Sequence, residues 1–197
     1  MLNGRTLLAT FAAVALGACE GPSGLAPSLT LPARSAMSLD QSVDPNAPAS
    51  ATDGGHYNLA GLDVQFALSA VQHPNGTASG QFHHAADEGG GLVIDFSGEV
   101  TCLAVDPVNH RAWIGGTITK NNSTDPDFQT DIQQPGRDIW FRVLDAGEGA
   151  DATGRTTFTG FQGSAGIQTS AEYCAARLWA ANNARTWPVT GNISVRP

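Results

Sequence analysis

The sequence predicts an all-β domain: an antiparallel β-sandwich or flattened β-barrel of about eight strands, with one candidate for a short helix. Several segments alternate apolar and polar residues with the period of two that a half-buried strand shows. The 23 glycines and 11 prolines, set against 14% charged residues, favour turns and short strands over long helices. A chain of 197 residues is long enough to bury one hydrophobic core.

Residues 1–18 are typical of an export signal. Arg5 supplies a positive charge, residues 7–16 form an apolar run that is too short for an ordinary membrane span, and small residues follow. The sequence LGAC at 16–19 resembles the bacterial lipobox, which implies cleavage before Cys19 and attachment of lipid to this residue. Plain secretion with a chance cysteine at this position is the alternative.

The lipobox resemblance also implies a location at the cell envelope. Two or three acyl chains are enough for stable anchoring in a membrane, whereas one chain binds only marginally. Cys19 is followed by Glu20 rather than by Asp. In lipoproteins of bacteria with two membranes, the resemblance implies, this favours the outer membrane.

Residues 19–55 are expected to form a disordered tether. The segment is rich in Pro, Ser and Ala, and no hydrophobic period persists along it. It therefore cannot bury enough apolar surface to offset the entropy of ordering. A segment that is removed on maturation is the alternative. The folded domain is then expected over residues 56–197.

Two strands are expected at the start of this domain. Residues 62–70 place Leu62, Val64, Phe66, Leu68 and Ala70 on one face. The sequence HPNG at 73–76 is a strong turn signal, because Asn-Gly readily takes the positive φ that tight hairpins require. Residues 78–83 form the second strand, and the glycine-rich residues 87–91 are expected to form the next turn.

Residues 91–119 then predict two long strands joined by a turn, and the domain is organised around this hairpin. The turn is DPVN at 106–109, since Pro pre-sets its backbone angle and Asp and Asn bond to nearby backbone. The residues expected in the core on the first strand are Leu92, Ile94, Phe96, Gly98, Val100, Cys102 and Ala104. Those expected on the second strand are Ala112, Ile114, Gly116 and Ile118.

The last third of the chain contains a loop, three further strands and the helix candidate. Residues 120–137 are polar without a period, which indicates a long loop. Strands are expected at 138–144, 156–161 and 187–195, and a helix at 170–183 with Ser170 as its cap. The inward-facing residues of the first and last of these strands are Ile139, Phe141, Val143, Trp187, Val189, Gly191, Ile193 and Val195.

Cys102 and Cys174 are expected to form a disulfide. Both lie in an exported domain, where thiols oxidise, and the alternation places Cys102 on the inward face. Such a bond would stabilise the domain by about 4 kcal/mol in the chain-entropy model. The alternatives are a buried free pair and a catalytic cysteine.

His83 and His84, with Asp87 and Glu88 close behind, form the first candidate site. Histidines and carboxylates bind zinc and carry out acid–base chemistry. Adjacent strand residues point to opposite faces, however, so both histidines cannot easily serve one ion. A solvated strand end is the competing interpretation.

Two acidic loops are candidates for calcium, which prefers several oxygen ligands. The first contains Asp125, Asp127 and Asp131, and the second contains Asp145, Glu148 and Asp151. Neither loop has the EF-hand spacing. Solubilising turns are the competing interpretation, and no cofactor is otherwise expected.

Trp113, Trp140 and Trp179 fall off the predicted core face. They would either form an exposed aromatic strip, as in sugar-binding sandwiches, or be covered by a second sheet or by the helix. The sequence leaves both arrangements open.

Charge and motifs exclude several functions. The net charge of −8 argues against nucleic acid as a partner, because phosphate binding needs clustered Lys and Arg. The chain contains no Gly-x-Ser-x-Gly elbow, His-Glu-x-x-His motif, phosphate loop or dinucleotide fingerprint.

Four segments resemble a loose set of exported bacterial β-domains, among them the post-choice-of-anchor-P type. They are GEVTCLAV at 98–105, AWIGGTIT at 112–119, FRVLDAGEG at 141–149 and TGNISV at 190–195. The resemblance covers residues 62–197 and consists mostly of strand and turn residues. It implies a β-rich exterior domain with no assigned catalytic residues.

These observations favour a non-catalytic lipoprotein that is held at the membrane by its lipid and has a binding or structural role at the envelope, with a protein or a glycan as its ligand. The first alternative is an extracytoplasmic hydrolase that uses His83, Asp87 or Glu88. The second alternative is a calcium-dependent adhesive module.

Overall fold

A computed structural model of the chain describes residues 48–147, 153–179 and 185–197, which belong to one compact unit. The signal, Cys19 and residues 19–47 of the expected tether lie outside this part. The described elements are β1 (Ser50–Leu59), β2 (Leu62–Gln72), β3 (Ala78–Gly89), β4 (Leu92–Asp106), β5 (Arg111–Asn121), β6 (Asp138–Leu144), β7 (Arg155–Thr156), β8 (Gly160–Phe161), α1 (Ser170–Ala176) and β9 (Trp187–Arg196).

The strands form one antiparallel sheet that closes on itself. β1 to β5 follow one another as a meander, β5 pairs with β6, and β1 pairs with β9. Short pairings of β7 with β6 and with β9 complete the ring. The all-β prediction is therefore confirmed, and the architecture is a closed barrel of eight strands with β8 as an extra strand beside β6.

The first strand begins at Ser50, so the predicted boundary between tether and domain at residue 56 is wrong. Ala51 and Tyr57 of β1 are buried in the core. The segment contains few large apolar residues, and its alternation is therefore hard to detect in the sequence. It is a strand because β2 and β9 pair with its backbone from both sides.

The barrel interior is filled by the side chains that the alternation places there. Phe66 of β2, Phe96 of β4 and Phe141 of β6 are buried near its centre. The predicted inward-facing residues that lie in this core are Val64, Phe66, Leu68, Ala70, Ile94, Phe96, Val100, Ala112, Ile114, Ile118, Ile139, Phe141, Val143, Val189, Ile193 and Val195.

A β-bulge in β4 places Cys102 on the outer surface of the barrel. The register with β5 shifts between Val100 and Cys102. One extra residue reverses the faces of all residues that follow it in the strand. Leu103 therefore lies in the barrel core, whereas Cys102 and Ala104 pack in a second, outer cluster. The prediction that Cys102 and Ala104 face the core is wrong.

The helix covers the outer face of β4, β5 and β6. It begins at Ser170 and ends at Ala176, so it is shorter than the predicted 170–183, and residues 180–184 lie outside the described part. Its cap is Thr169 rather than Ser170, because Thr169 Oγ1 accepts a hydrogen bond from the backbone N–H of Glu172 at 3.1 Å.

The predicted disulfide between Cys102 and Cys174 is present, with a Cα–Cα distance of 6.2 Å. It joins β4 to α1 on the outside of the barrel. The backbone N–H of Ser170 also donates to Asp138 Oδ2 at 2.9 Å, which holds the start of the helix against β6. A covalent and a polar contact therefore fix the helix at two points.

The predicted strand at 156–161 is two short pieces. β7 and β8 both pair with the same edge of β6, but only β7 pairs with β9. Residues 157–159 between them belong to no strand. We call this interrupted part of the wall, residues 157–161, the seam.

The polar segment after β5 is an ordered loop with two 3-10 helical turns, Pro126–Phe128 and Asp131–Gln133. Asn121 holds the loop, since its side-chain amide donates to the carbonyl oxygens of Phe128 and Gln133 at 2.8 and 3.0 Å. The loop prediction is confirmed.

Candidate functional site

His83 and His84 lie in the middle of β3, because this strand continues to Gly89. The prediction of a turn that begins at residue 87 is therefore wrong. The two histidines do face opposite sides, as the alternation predicts: His83 is exposed, with its Nε2 2.9 Å from Asp95 Oδ1, and His84 is fully buried. They cannot bind one ion together.

His84 is part of the aromatic core. Its ring centre lies 5.6 Å from that of Phe66 and 4.7 Å from that of Phe141. Neither ring nitrogen has a hydrogen-bond partner among the described residues. Burial lowers the pKa of His84 to about 3, so the ring is neutral at physiological pH.

Asp53 and Tyr57 of β1 are two further buried groups without a described partner. Both carboxylate oxygens of Asp53 and the hydroxyl of Tyr57 lack hydrogen bonds within the described part of the chain. Burial raises the pKa of Asp53 to about 8, and it also raises the pKa of Tyr57. The sequence gives no sign of these groups, because β1 itself was not recognised.

Asp87 and Glu88 do not join the histidines in a site. Asp87 Oδ1 accepts a hydrogen bond from the backbone N–H of Gly89 at 2.8 Å and so stabilises its own turn. Glu88 is exposed and lies beside Asp125, and the hydrogen bond with Asp125 raises the pKa of Glu88. The four residues of the first candidate site are therefore dispersed.

In the acidic loops, the carboxylates of Asp125 and Asp145 accept hydrogen bonds from backbone N–H groups. Asp125 Oδ1 accepts from the N–H of Asp127 at 2.9 Å, and Asp145 accepts from Gly147 at 2.7 Å and from Val195 at 3.0 Å. Asp131 starts the second 3-10 turn and is exposed.

Glu148 and Asp151 of the second acidic loop lie outside the described residues. Over 48–147, 153–179 and 185–197, no group of three or more His, Cys, Asp or Glu side chains is arranged to hold a metal ion.

The tryptophans are covered by the helix and the residues that follow it. Trp113 and Trp140 are each 3% exposed, in an outer cluster with Tyr173 and Cys174. Trp113 Nε1 donates to the carbonyl oxygen of Leu178 at 2.9 Å. Of the two arrangements that the sequence left open, the covered one is confirmed for Trp113 and Trp140, whereas Trp179 is partly exposed and packs against Trp113.

A pocket with a volume of about 310 Å³ opens between the seam and α1. Its walls combine aromatic rings with two arginines and two threonines. The lining side chains include Trp140, Arg142, Phe158, Thr159, Tyr173, Arg185 and Trp187. We call it the seam pocket.

Arg142 is the most deeply buried cation of this pocket, at 3% exposure. Its Nη1 donates to the carbonyl oxygen of Leu178 at 2.8 Å, and its guanidinium lies 4.9 Å from the centre of the Trp179 ring. Its Nε has no partner among the described residues. Burial lowers the pKa of Arg142, but an arginine keeps its charge at neutral pH.

The aromatic wall is formed by Trp140 and Tyr173, whose rings stack with their centres 5.7 Å apart. Burial raises the pKa of Tyr173 to about 12, and the nearby Arg142 acts in the opposite direction. The hydroxyl is therefore protonated at neutral pH, and it interacts with the side chain of Arg142.

The orientation of two residues that line this pocket can be predicted from the sequence. Trp140 and Arg142 alternate with the inward-facing residues of β6, so their outward orientation is predicted and confirmed. Their burial is not predictable in the same way, because it depends on a helix and a strand break that are distant in the chain.

A second depression, of about 490 Å³, is lined by residues of β1 to β5. His83 and Ser97 line it and are directly opposite each other in the register of β3 and β4.

Comparison of the chain with protein-family models, with curated proteins and with solved structures finds no match. None of the helices in the described part has the length and apolar character that crossing a membrane requires.

Proposed function

We propose that the chain is an exported lipoprotein whose barrel serves as a non-catalytic binding domain at the cell envelope. Acylation at Cys19 would hold it at the membrane, in the outer membrane where the organism has one, and residues 20–49 would be the tether. The observation that carries the binding role is the seam pocket, with its stacked aromatic wall and its buried Arg142.

Two features support export. The leader has a short apolar run that ends in LGAC at 16–19. The bond between Cys102 and Cys174 is of the kind that forms and persists in oxidising compartments and is rare in the cytosol.

Replacing Cys19 with Ala tests the anchor. The wild-type protein is expected in the membrane fraction, with an increase in mass from its acyl chains, and the variant in the soluble extracytoplasmic fraction. Arg196→Gln is the matched control, since it changes an exposed residue of β9 and leaves both Cys19 and the disulfide in place. Membrane association of the Cys19 variant would contradict the proposal.

A hydrolase is a second candidate, which the pairing of His83 with Asp95 favours. His83 Nε2 lies 2.9 Å from Asp95 Oδ1, and Ser97 is the residue opposite His83 in β4. A His83→Ala variant that hydrolyses p-nitrophenyl acetate at the same rate as the wild-type protein would eliminate this role. A loss of about tenfold or more would support it.

A further inference from the structure

The seam pocket carries an uncompensated positive charge. Arg142 and Arg185 line it, and none of its lining residues in the described part is Asp or Glu. This is unusual in a chain of net charge −8, where carboxylates are more abundant than cations. A buried arginine without a counter-ion is costly, so burial of Arg142 favours binding of an anion there.

The hydrogen-bonding capacity of Arg142 is only partly used. Its contacts are the carbonyl oxygen of Leu178, the face of Trp179 and the hydroxyl of Tyr173, while its Nε lacks a partner among the described residues. An arginine presents its donors in a planar fork that matches the two oxygens of a carboxylate or phosphate.

Thr159 gives an independent indication at the same place. It is 8% exposed and lines the seam pocket, and its Oγ1 has no hydrogen-bond partner in the described part of the chain. A buried hydroxyl without a partner costs about 1–3 kcal/mol, so such groups usually have one. This oxygen has almost no accessible surface as the side chain stands, so a ligand oxygen in the pocket would reach it after rotation of the Thr159 side chain.

Four aromatic side chains form much of the remaining wall. The stacked rings of Trp140 and Tyr173 form one side, and Phe158 and Trp187 also line the pocket. Aromatic walls favour a planar ligand body, which packs against their faces. The volume of about 310 Å³ is at the small end of the range for ligand pockets.

We propose that the seam pocket binds a small anion, in which a carboxylate or phosphate group is attached to a flat apolar body. This inference rests on the proposed binding role and specifies its ligand class. The anionic oxygens are held by Arg142 and Thr159, Arg185 attracts the ligand at the entrance, and the flat body lies against Trp140 and Tyr173.

Isothermal titration calorimetry of the purified, oxidised protein tests the ligand class with five probes. Benzoate and phenyl phosphate are expected to bind, and they distinguish a carboxylate from a phosphate. Benzamide, which has the shape of benzoate without its charge, is expected to bind at least about tenfold more weakly. Acetate and inorganic phosphate are expected to bind more weakly as well, because they lack the flat body.

Two variants locate the binding site without depending on Arg142, whose removal would also break its contact with Leu178. Thr159→Val keeps the side-chain size and removes a hydroxyl without a described partner, so the melting temperature should not fall. The affinity for benzoate or phenyl phosphate should fall about tenfold. Arg185→Gln changes an exposed residue and should lower the affinity severalfold and reduce its salt dependence.

Arg196→Gln is the matched control, because Arg196 is exposed on β9 and does not line the pocket. Equal binding of benzamide and benzoate would overturn the inference about charge while leaving a binding role in place. Absence of binding for all probes, or identical affinities in the Thr159 and Arg196 variants, would overturn the inference altogether. Neither result alters the Cys19 fractionation test, which reports on the anchor alone.

Discussion

At the scale of single residues, Gly115 of β5 determines how closely the helix approaches the barrel. A Cβ at this position would lie 2.6 Å from Cys102 Sγ and 2.6 Å from Ser170 Cβ. No real Cβ tolerates such distances, and both neighbours are fixed, one by the disulfide and the other by its contact with Asp138. The absence of a side chain is therefore a packing requirement.

Replacing Gly115 with Ala is expected to destabilise the protein by about 2 kcal/mol, because overpacking of a well-packed region typically costs about 1–3 kcal/mol. Urea unfolding followed by tryptophan fluorescence measures the change. Gly54→Ala is the control, since Gly54 is exposed in a strand and a Cβ there meets no atom within 4 Å. Equal effects of the two changes would show that the clash is relieved elsewhere.

Asp53 makes the stability depend on pH. In the folded protein its pKa is raised to about 8 by burial, whereas in the unfolded chain it is near 3.8. Between these values the folded state binds more protons than the unfolded state, so stability falls as pH rises. His84 acts with the opposite sign between pH 3 and 6.5, because its pKa is lowered to about 3.

Asp53 therefore dominates the pH dependence of stability in the window from pH 6.5 to pH 8. The free energy of unfolding of the wild-type protein is expected to decrease by about 1 kcal/mol across it, because Asp53 is half ionised at pH 8 and His84 makes a small opposing contribution near pH 6.5. Asp53→Asn cannot ionise and should lose this slope. Denaturant titrations at several pH values measure it, and equal slopes in the two proteins would refute the assignment to Asp53.

At the scale of elements, α1 is held mainly by contacts with residues distant in the chain. Cys102 and Cys174 are separated by 72 positions, and the bond between them closes the loop that contains β5 and β6. The helix has only seven residues, too few to be stable alone in water. Its position over Trp113 and Trp140 therefore depends on the bond and on packing.

Replacing both Cys102 and Cys174 with Ala is expected to lower stability by about 4 kcal/mol, from the entropy that the unfolded chain regains. Exposure of Trp113 and Trp140 should also shift the fluorescence emission to longer wavelengths. Thermal unfolding with and without a reducing agent measures the first effect. The wild-type protein should respond to reduction and the double variant should not, so a response of both would indicate another cause.

Local patterns predicted most elements of this protein. The alternation identified β2, β5, β6 and β9 and their inward faces, because the period of two is a property of the chain itself. It failed at the bulge in β4, since an extra residue is visible only in the pairing with β5. It also failed at β1, where pairing with two neighbours replaces hydrophobicity as the cause of the strand.

At the scale of the whole molecule, closure of the barrel depends on contact between its first and last strands. β1 and β9 pair over eight residue pairs, from Ser50 with Arg196 to Tyr57 with Val189. Gly191 of β9 has a φ of 155°, and a Cβ there would lie 2.2 Å from the carbonyl oxygen of Gly54. Only glycine fits this conformation and this distance.

Gly191→Ala is expected to destabilise the whole domain by about 2 kcal/mol or more, because it adds backbone strain to a clash. Far-UV circular dichroism and tryptophan fluorescence should shift together, since the ring cannot open at one strand pair without losing its core. Asn192→Ala, at the exposed neighbouring position, is the control. Separate transitions for the two signals would contradict cooperative closure.

The choice between sandwich and barrel, and the pocket itself, were beyond sequence reasoning for the same reason. Closure follows from the pairing of β1 with β9 and of β5 with β6, and such long-range pairings leave no local pattern. The seam pocket combines β6, the seam, α1 and Trp187. The candidates that the sequence did offer, His83 with His84 and the acidic loops, were groups of neighbours in the chain.

The short strand β7 between β6 and β9 is expected to affect where the barrel opens locally. Most neighbouring strands are joined by long ladders, whereas β7 meets β9 through only two residue pairs. Transient opening takes the least free energy where a ladder is shortest. Local opening is therefore expected beside the seam pocket. A bound ligand would oppose this opening and slow the hydrogen exchange of nearby backbone amides.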